Sequence, residues 1–326
     1  MMKERGGFVV EIVKQIGKVF EIAMPIGEKW TVSRCRYQAK ENAKGRLCIA
    51  TGIHGDEMMG QLIVYEIAQR IMAQPQHLAG TVDLYPMLNP LGMDIGERMV
   101  PAGTRLDMNR AFPGAENGTP MEAMCYHIMQ DMMGADLVLD IHSSAPNKSE
   151  IYQVRMNARD AQQLLGQARA LCPQVIWVYP QKRAYDAQLT SALSAAGTPA
   201  MILAANECSR YPLEDAQKVV DGIFCKMKEM GIWTGETIEI PAQEAPCVRT
   251  PQDMCRMTCT KPGMYVSEYR LGEWVKRGES LGKIIDALSG EVLEEVAAPV
   301  SGLVFSQRSY SAVYPGTLIA RLCRKE

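Results

Sequence analysis

The sequence predicts an α/β domain on a mostly parallel or mixed sheet flanked by helices, followed by a smaller all-β C-terminal domain. Three observations carry this reading. Short apolar runs alternate with helix-length amphipathic segments from residue 46 to residue 231. The alternation stops near "IEIPAQEAP" (238–246), and no convincing helix follows. Gly–Glu and Pro–Gly pairs then punctuate short apolar stretches at close intervals, as in small all-β domains. The expected division is residues 1–240, including an N-terminal β-hairpin region, and residues 241–326.

Each element has its own signal. Residues 7–50 alternate apolar stretches with Gly/Pro breaks, which predicts strands and hairpins. "RLCIATGI" (46–53) is a short apolar strand. "DEMMGQLIVYEIAQRIMA" (56–73) follows with Met59, Leu62, Ile63, Ile67 and Ile71 at helical spacing. "GTVDLYPMLNP" (80–90) reads as a strand that runs into a long loop, and "PMEAMCYHIMQDMM" (120–133) as a helix. "ADLVLDIHSS" (135–144) is a strand, "ARDAQQLLGQARALC" (158–172) a helix, and "VIWVYP" (175–180) a strand. "AQLTSALSAAG" (187–197) is a helix, "PAMILAA" (199–205) a strand, and residues 212–231 a long amphipathic helix. In the β-rich part, "VKRGESLGKI" and the run from 298 to 322 resemble the folded-over hairpins of biotinyl/lipoyl-type modules in shape, without an exposed lysine at a hairpin tip.

Composition narrows the function. A net charge of −2 offers no electrostatic footprint for nucleic acid or an anionic membrane surface. No window of about 18 apolar residues exists, so no membrane span is expected. The N-terminal residues lack the apolar core and small-residue cleavage site of a secretory leader. Ten cysteines in that context predict reduced thiols and a cytoplasmic location. There is no C-x-x-C pair, and Cys255 and Cys259 lack a second pair that would complete a structural zinc site.

The chemistry concentrates where strands end, which is where open α/β sheets bind ligands. "GIHGDE" places His54 and Glu57 three residues apart at a strand-to-helix junction. If Asp56 caps the helix, Glu57 falls in its first turn and both side chains face one point above the sheet. H-x-x-E alone is a weak signal, since a capped helix start looks the same. The chain has only four histidines, however, and His142 also ends a strand. Two histidines and a carboxylate are a common donor set for a catalytic zinc with an open fourth position. Asp140, two residues before His142 on the same strand face, is placed to orient it. His77 and His127 fall in a polar loop and on a helix, with no such context. Between the two strand ends lies "NPLGMDIGERMVPAGTRLDMNRAFPG" (89–114), a long Gly/Pro-punctuated loop with Arg98, Arg105 and Arg110. Arginine's planar fork suits carboxylates and developing oxyanions.

At these residues the sequence closely resembles the succinylglutamate desuccinylase/aspartoacylase family, relatives of the zinc carboxypeptidases. The matching pieces are "GIHGDE" (52–57), "NP" (89–90), "R-x-x-P" (98–101), "DMNRAFPG" (107–114) and "DLVLDIHSS" (136–144), in that order. The resemblance implies a zinc-carboxypeptidase-like sheet and one Zn2+ per chain held by His54, Glu57 and His142. It further implies that Arg98 polarises the scissile carbonyl, that Asn109 and Arg110 hold a substrate carboxylate, and that Arg155 is a further substrate contact. The implied reaction is hydrolysis of an N-acyl amino acid or related small amide, with a short peptide as the alternative substrate and homo-oligomerisation left open. A C-terminal domain over the mouth of the site is also implied. Tyr265, Tyr310 and Tyr314 are its candidate ligand contacts, with packing the default role for each.

One position departs from the family pattern. The general-base glutamate is expected five residues after a strand-opening proline, and here Ala204 stands five residues after Pro199. Three explanations compete. Ala204 is an engineered replacement of a glutamate that traps a substrate or product; Glu207, three residues on, serves as the base; or catalysis is naturally lost and the protein binds a small molecule at its metal. In a continuing strand an odd offset would turn Glu207 to the opposite face, so the second explanation needs a turn there.

Overall fold

The computed structural model describes residues 12–25, 27–101, 106–208, 210, 212–238 and 246–324. Its centre is a nine-stranded mixed sheet. The strands and helices of its first half are β1 (Ile12–Ala23), β2 (Lys29–Ala39), β3 (Arg46–Thr51), α1 (Met59–Ala73), β4 (Thr81–Tyr85), α2 (Pro90–Ile95) and α3 (Pro120–Met132). The second half adds β5 (Leu137–Ser144), β6 (Lys148–Glu150), β7 (Gln153–Asn157), α4 (Ala161–Arg169), β8 (Val175–Tyr179), α5 (Arg183–Asp186), α6 (Leu189–Ala195), β9 (Ala200–Glu207), α7 (Leu213–Glu229) and β10 (Cys247–Arg249). The strand order is β1-β2-β4-β3-β5-β9-β7-β8-β10. β4, β3, β5 and β9 run parallel, while β2 and β7 flank them antiparallel.

Every residue of β5 and β9 is buried, as expected for parallel strands covered on both faces. One face packs on α1 and α7. α1 presents Met59, Ile63, Ile67 and Ile71 at four-residue spacing, and α7 presents Val219, Val220, Ile223, Phe224 and Met227. α7 also carries Glu214 and Asp215 in its first turn and Lys226 and Lys228 in its last, matching the helix dipole. The other face packs on α3 and α6 through Met124, Ile128, Met132, Leu189 and Leu193. α3 starts at a Thr119–Glu122 capping box with Pro120 at its first position.

Residues 254–324 form two antiparallel sheets. Their strands are β11 (Met254–Thr258), β12 (Gly263–Ser267), β13 (Trp274–Val275), β14 (Ser280–Ile285), β15 (Val292–Ala297), β16 (Gly302–Arg308), β17 (Ala312–Val313) and β18 (Leu318–Arg324). Leu281, Ile284, Val304, Ile319 and Leu322 fill the space between them. Strands cross the expected 240/241 division in both directions. β10 pairs with β8 in the large sheet, and β6 pairs with β16 in the C-terminal one. Residues 239–245, where the boundary was expected, lie outside the described residues.

Two expectations are corrected. α1 starts at Met59 after an N-cap at Met58, and no side chain caps it. Asp56 is therefore not the cap, and Glu57 belongs to the turn ahead of the helix. The loop at 89–114 is also more ordered than its Gly/Pro content suggests. Asn89 caps α2 by accepting from Gly92 N at 3.0 Å, Pro90 takes the first helical position, and residues 108–110 form a 3-10 turn. Among the described residues no helix is long and apolar enough to cross a membrane. All ten cysteines are free thiols.

Candidate metal and catalytic site

The turn after β3 is shaped by two glycines. Gly52 adopts φ +72°, which favours glycine. At Gly55 a Cβ would sit 2.1 Å from the carbonyl carbon of Gly92 and 2.4 Å from the carbonyl oxygen of Glu97. The segment at residues 88–97 is thus pressed against the "GIHGDE" turn, and Asn89 N donates to Gly52 O at 2.7 Å. This packing aims His54 and Glu57 inward, where each is 3% exposed.

His142 arrives from the end of β5, and the three side chains converge. Nδ1 of His54 lies 2.8 Å from Glu57 Oε1, and Nδ1 of His142 lies 2.9 Å from Glu57 Oε2. Ser143 N also donates to Glu57 Oε2, at 2.8 Å. Among the described residues, His54, Glu57 and His142 alone form a group whose ligand atoms all lie within 4.8 Å of one another. Their outer nitrogens are matched as well. Nε2 of His142 meets Asp140 Oδ2 at 2.8 Å, and Nε2 of His54 meets Asp107 Oδ1 at 3.0 Å. A carboxylate on each Nε2 holds a proton there, so that Nδ1 is the nitrogen each ring would offer to an ion. The donor set therefore fits a divalent metal.

The electrostatics agree with that fit. Burial alone would raise the Glu57 pKa, but the adjacent His142 and His54 hold it well below the usual carboxylate value. Burial alone would lower the His142 pKa, yet Asp140 and Glu57 push it up to about 10. Asp107 is half-buried, which would raise its pKa, and its bond to His54 brings it down to about 2. Asp56 shifts upward, through burial and then the neighbouring Glu57.

The remaining predicted residues are distributed around this centre. Arg98 donates to Glu57 Oε1 at 2.8 Å and lies 4.0 Å from Asp56 Oδ1. Asp107 caps the 3-10 turn by accepting from Asn109 N at 2.9 Å, so one carboxylate fixes both His54 and the Asn109–Arg110 pair. The Asn109 side chain is buried and accepts from Leu189 N, the start of α6, at 3.0 Å. Arg110 is half-exposed, and its Nη1 donates to Asn109 O at 2.6 Å. Arg155 lies in β7 and bonds to Glu150. Arg105 lies outside the described residues.

β9 holds the two candidate positions for the base. His142 pairs with Ala204, but Ser144 pairs with Glu207, so β9 carries one residue more than β5 over this step. The extra residue is accommodated at Asn206, which adopts φ +54° and donates to Asp215 Oδ2 at 2.8 Å. This bulge restores the parity that an odd offset breaks. Glu207 consequently shares the His142 face of the sheet. Its Oε1 accepts from Asn147 N at 2.7 Å, while its buried Oε2 has no hydrogen-bond partner. Ala204 is 1% exposed beside His142.

Other residues fall outside the centre. His77 packs on Trp233, and His127 stacks on Phe20. Tyr265 is buried and donates to Leu281 O at 2.5 Å, whereas Tyr310 and Tyr314 are exposed. Sequence reasoning missed Asp107, although its place two residues before Asn109 is the spacing of a side chain that caps its own turn. It also missed the cluster around Glu150, for which no local signal exists.

A helix-flanked mixed sheet with two histidines and a glutamate gathered at the ends of adjacent central strands defines a carboxypeptidase-like α/β protein with a metal-type donor set. More narrowly, the chain belongs to the succinylglutamate desuccinylase/aspartoacylase family, whose catalytic-domain model matches residues 43–223. These are enzymes of hydrolase and deacylase type. The chain is similar to the product-bound ectoine utilization protein EutE (DoeB) from Ruegeria pomeroyi, at 18% identity and TM-score 0.76, over 96% of this chain and 95% of that one. It is similar to a succinylglutamate desuccinylase/aspartoacylase from Rhodobacter sphaeroides at 19% identity and TM-score 0.74, over 97% and 96% of the two chains. A metallo-carboxypeptidase from Burkholderia cenocepacia shares the fold more distantly, at 15% identity and TM-score 0.52, over 67% and 64%. A search of curated protein sequences finds no match.

Proposed function

We propose that the protein is a zinc-dependent deacylase that hydrolyses the amide of an N-acyl amino acid or related small amide. The observation that carries this is the convergence of His54 Nδ1, His142 Nδ1 and Glu57, with Asp107 and Asp140 behind the two rings. These three residues would hold the ion. A zinc bound there supplies a water of lowered pKa and a Lewis acid for the tetrahedral oxyanion.

The chain's own residues do the rest. Arg98, fixed by Glu57, offers a second cation to the developing oxyanion. Arg110 presents its guanidinium to a substrate carboxylate, and Asn109 anchors the turn that holds it. Glu207 takes the water's proton and returns it to the leaving amine. The bulge at Asn206 and an Oε2 with no hydrogen bond, 3.7 Å from the exposed Arg210 Nε, support this role.

The test is a panel of N-acetyl, N-succinyl and longer N-acyl amino acids together with short peptides, with zinc content measured in parallel. Turnover of N-acyl amino acids is expected. In Glu207→Gln the rate should fall about 10²- to 10⁴-fold, with zinc content and ligand binding retained. Turnover of peptides alone would make the protein a carboxypeptidase. Binding without turnover would make it a small-molecule binder. A large gain in Ala204→Glu would instead place the base at position 204.

A further inference from the structure

On the sheet face covered by α7, two cysteines meet that take no part in the metal site. The residues after α4 form a turn in which Leu171 N donates to Ala168 O at 3.2 Å and Cys172 N to Arg169 O at 3.1 Å. Cys172 adopts φ +56°, which few residues other than glycine do. α7 lies against this turn at backbone distance. A Cβ on Gly222 would sit 2.0 Å from Leu171 O, and the Tyr152 hydroxyl donates to the same oxygen at 2.9 Å. Cys225 follows Gly222 by three residues and so shares its side of the helix. The thiols of Cys172 and Cys225 are thereby hydrogen-bonded to each other.

Both thiols are half-buried, unlike Cys48, Cys125, Cys208, Cys259 and Cys323, which are buried. A buried cysteine serves as a small apolar filler. These two differ from such fillers and from each other. The Cys172 thiol, the Thr237 hydroxyl and the nearby Arg70 bring the Cys225 pKa down to about 7, against burial and Asp221. The same contact, together with burial, pushes the Cys172 thiol upward. Arg70 is held in place by Asp221 at 2.8 Å and by the Phe224 ring, 4.2 Å away. One sulfur is thus disposed to attack as thiolate while its neighbour keeps its proton, the division between an attacking and a resolving cysteine. Packing alone asks neither for a cysteine in the left-handed region nor for a cation beside its partner.

We propose that Cys172 and Cys225 form a thiol–disulfide modification site whose oxidant is a hydroperoxide. The Cys225 thiolate attacks the outer peroxide oxygen, the O–O bond breaks, and the proton that Cys225 gave up completes the departing water or alcohol. The Cys172 sulfur then attacks the sulfenic sulfur of Cys225. The S–S bond forms, the S–O bond breaks, and the Cys172 proton leaves with the hydroxyl group as water. Two thiols lose two electrons and the peroxide gains them. The bond fastens the end of α4 to α7, the helix whose Asp215 holds the Asn206 bulge.

The test treats the reduced, zinc-loaded protein with stoichiometric hydrogen peroxide. Peptide mapping should find Cys172 and Cys225 joined within one molecule, and the thiol count of the denatured protein should fall by two from ten. Dithiothreitol should restore it. In Cys172→Ser the sulfenic acid has no resolving partner, so dimedone should label Cys225. In Cys225→Ser the oxidation of Cys172 should be slower by roughly tenfold or more, since its own thiol is mostly protonated. Should Cys225→Ser fail to fold, the dimedone label in Cys172→Ser carries the test. No joined pair in the parent protein, a pairing through other cysteines or between two molecules, or a label in Cys172→Ser that misses Cys225 would overturn the site. No proposed metal donor is a cysteine, so these outcomes are independent of whether the protein is a deacylase.

Discussion

Replacing Asp140 by asparagine should weaken metal binding and flatten its pH dependence together. In the metal-free protein both ring nitrogens of His142 face carboxylates, Glu57 at 2.9 Å and Asp140 at 2.8 Å, and its pKa is raised to about 10. Because that value lies above the ordinary one of 6.5, the protonated ring stabilises the fold fully below about pH 6.5. The contribution is lost as pH rises through about 10. Glu57 works in the opposite sense, since its depressed pKa contributes above about 4.5 and is lost as pH falls. A metal ligand must be neutral imidazole, so uptake near neutrality displaces the His142 proton. Apparent affinity should then rise about tenfold per pH unit below pH 10, or about 100-fold from pH 6 to pH 8. The asparagine amide of the Asp140→Asn variant can still accept from Nε2–H of His142 but brings no charge. Affinity should drop about 10- to 100-fold, and the slope should flatten first at the alkaline end. Zinc titration calorimetry at about pH 6, 7 and 8, in buffers of different ionisation enthalpy, reads affinity and proton release together. A parent protein with pH-independent affinity and no proton release would refute the reasoning.

Two further variants probe the frame around the ion. Gly55→Ala forces a methyl against backbone atoms of Gly92 and Glu97 at 2.1–2.4 Å, so a loss of a few kcal/mol in thermal stability and a lower zinc stoichiometry are expected; an unchanged melting temperature would mean the two turns are not rigidly packed. Arg98→Met should cost about 10²- to 10³-fold in kcat with zinc content retained, and stopped-flow or steady-state rates at measured zinc loading would expose an unchanged kcat if the arginine only neutralises Glu57.

What was legible in the sequence is what local geometry encodes. His54 and Glu57 share one turn, and His142 ends an apolar strand, so spacing and strand-end placement sufficed to find all three. Asp140 followed from the two-residue period of β5. The start of α1 was misplaced because Asp56 looked like a cap while the turn ahead of the helix runs two residues longer. Its length is set by packing against residues 89–97, which no local pattern announces. The cluster around Glu150 was illegible for a similar reason. It joins β6, β7 and β18, with Glu150 and Arg321 171 positions apart, and only the pairing of β6 with β16 brings Arg321 to it.

At position 204 strand register bears on an assignment that residue spacing leaves open. Ala204 is buried between His142 on β5 and Gln153 on β7. Both nitrogens of His142 already face carboxylates there, and Gln153 is bonded to Glu150. A glutamate at 204 would add a fourth carboxylate beside Glu57, Asp140 and Glu150, in a space where alanine is 1% exposed. The cost of burying that charge and the repulsion from like charges would both oppose it. Glu207 avoids this difficulty. The residue inserted at Asn206 carries it one pairing step outward, to the level of Ser144, where one oxygen is held by Asn147 N and the other accepts no hydrogen bond and lies 3.7 Å from Arg210 Nε. Asn206 tolerates its left-handed conformation because Asp215 at the start of α7 holds the side chain. Straightening the bulge would return Glu207 to the α1 face, so Asn206→Val, which disfavours positive φ, should lower kcat even though the residue itself points away from the metal donors.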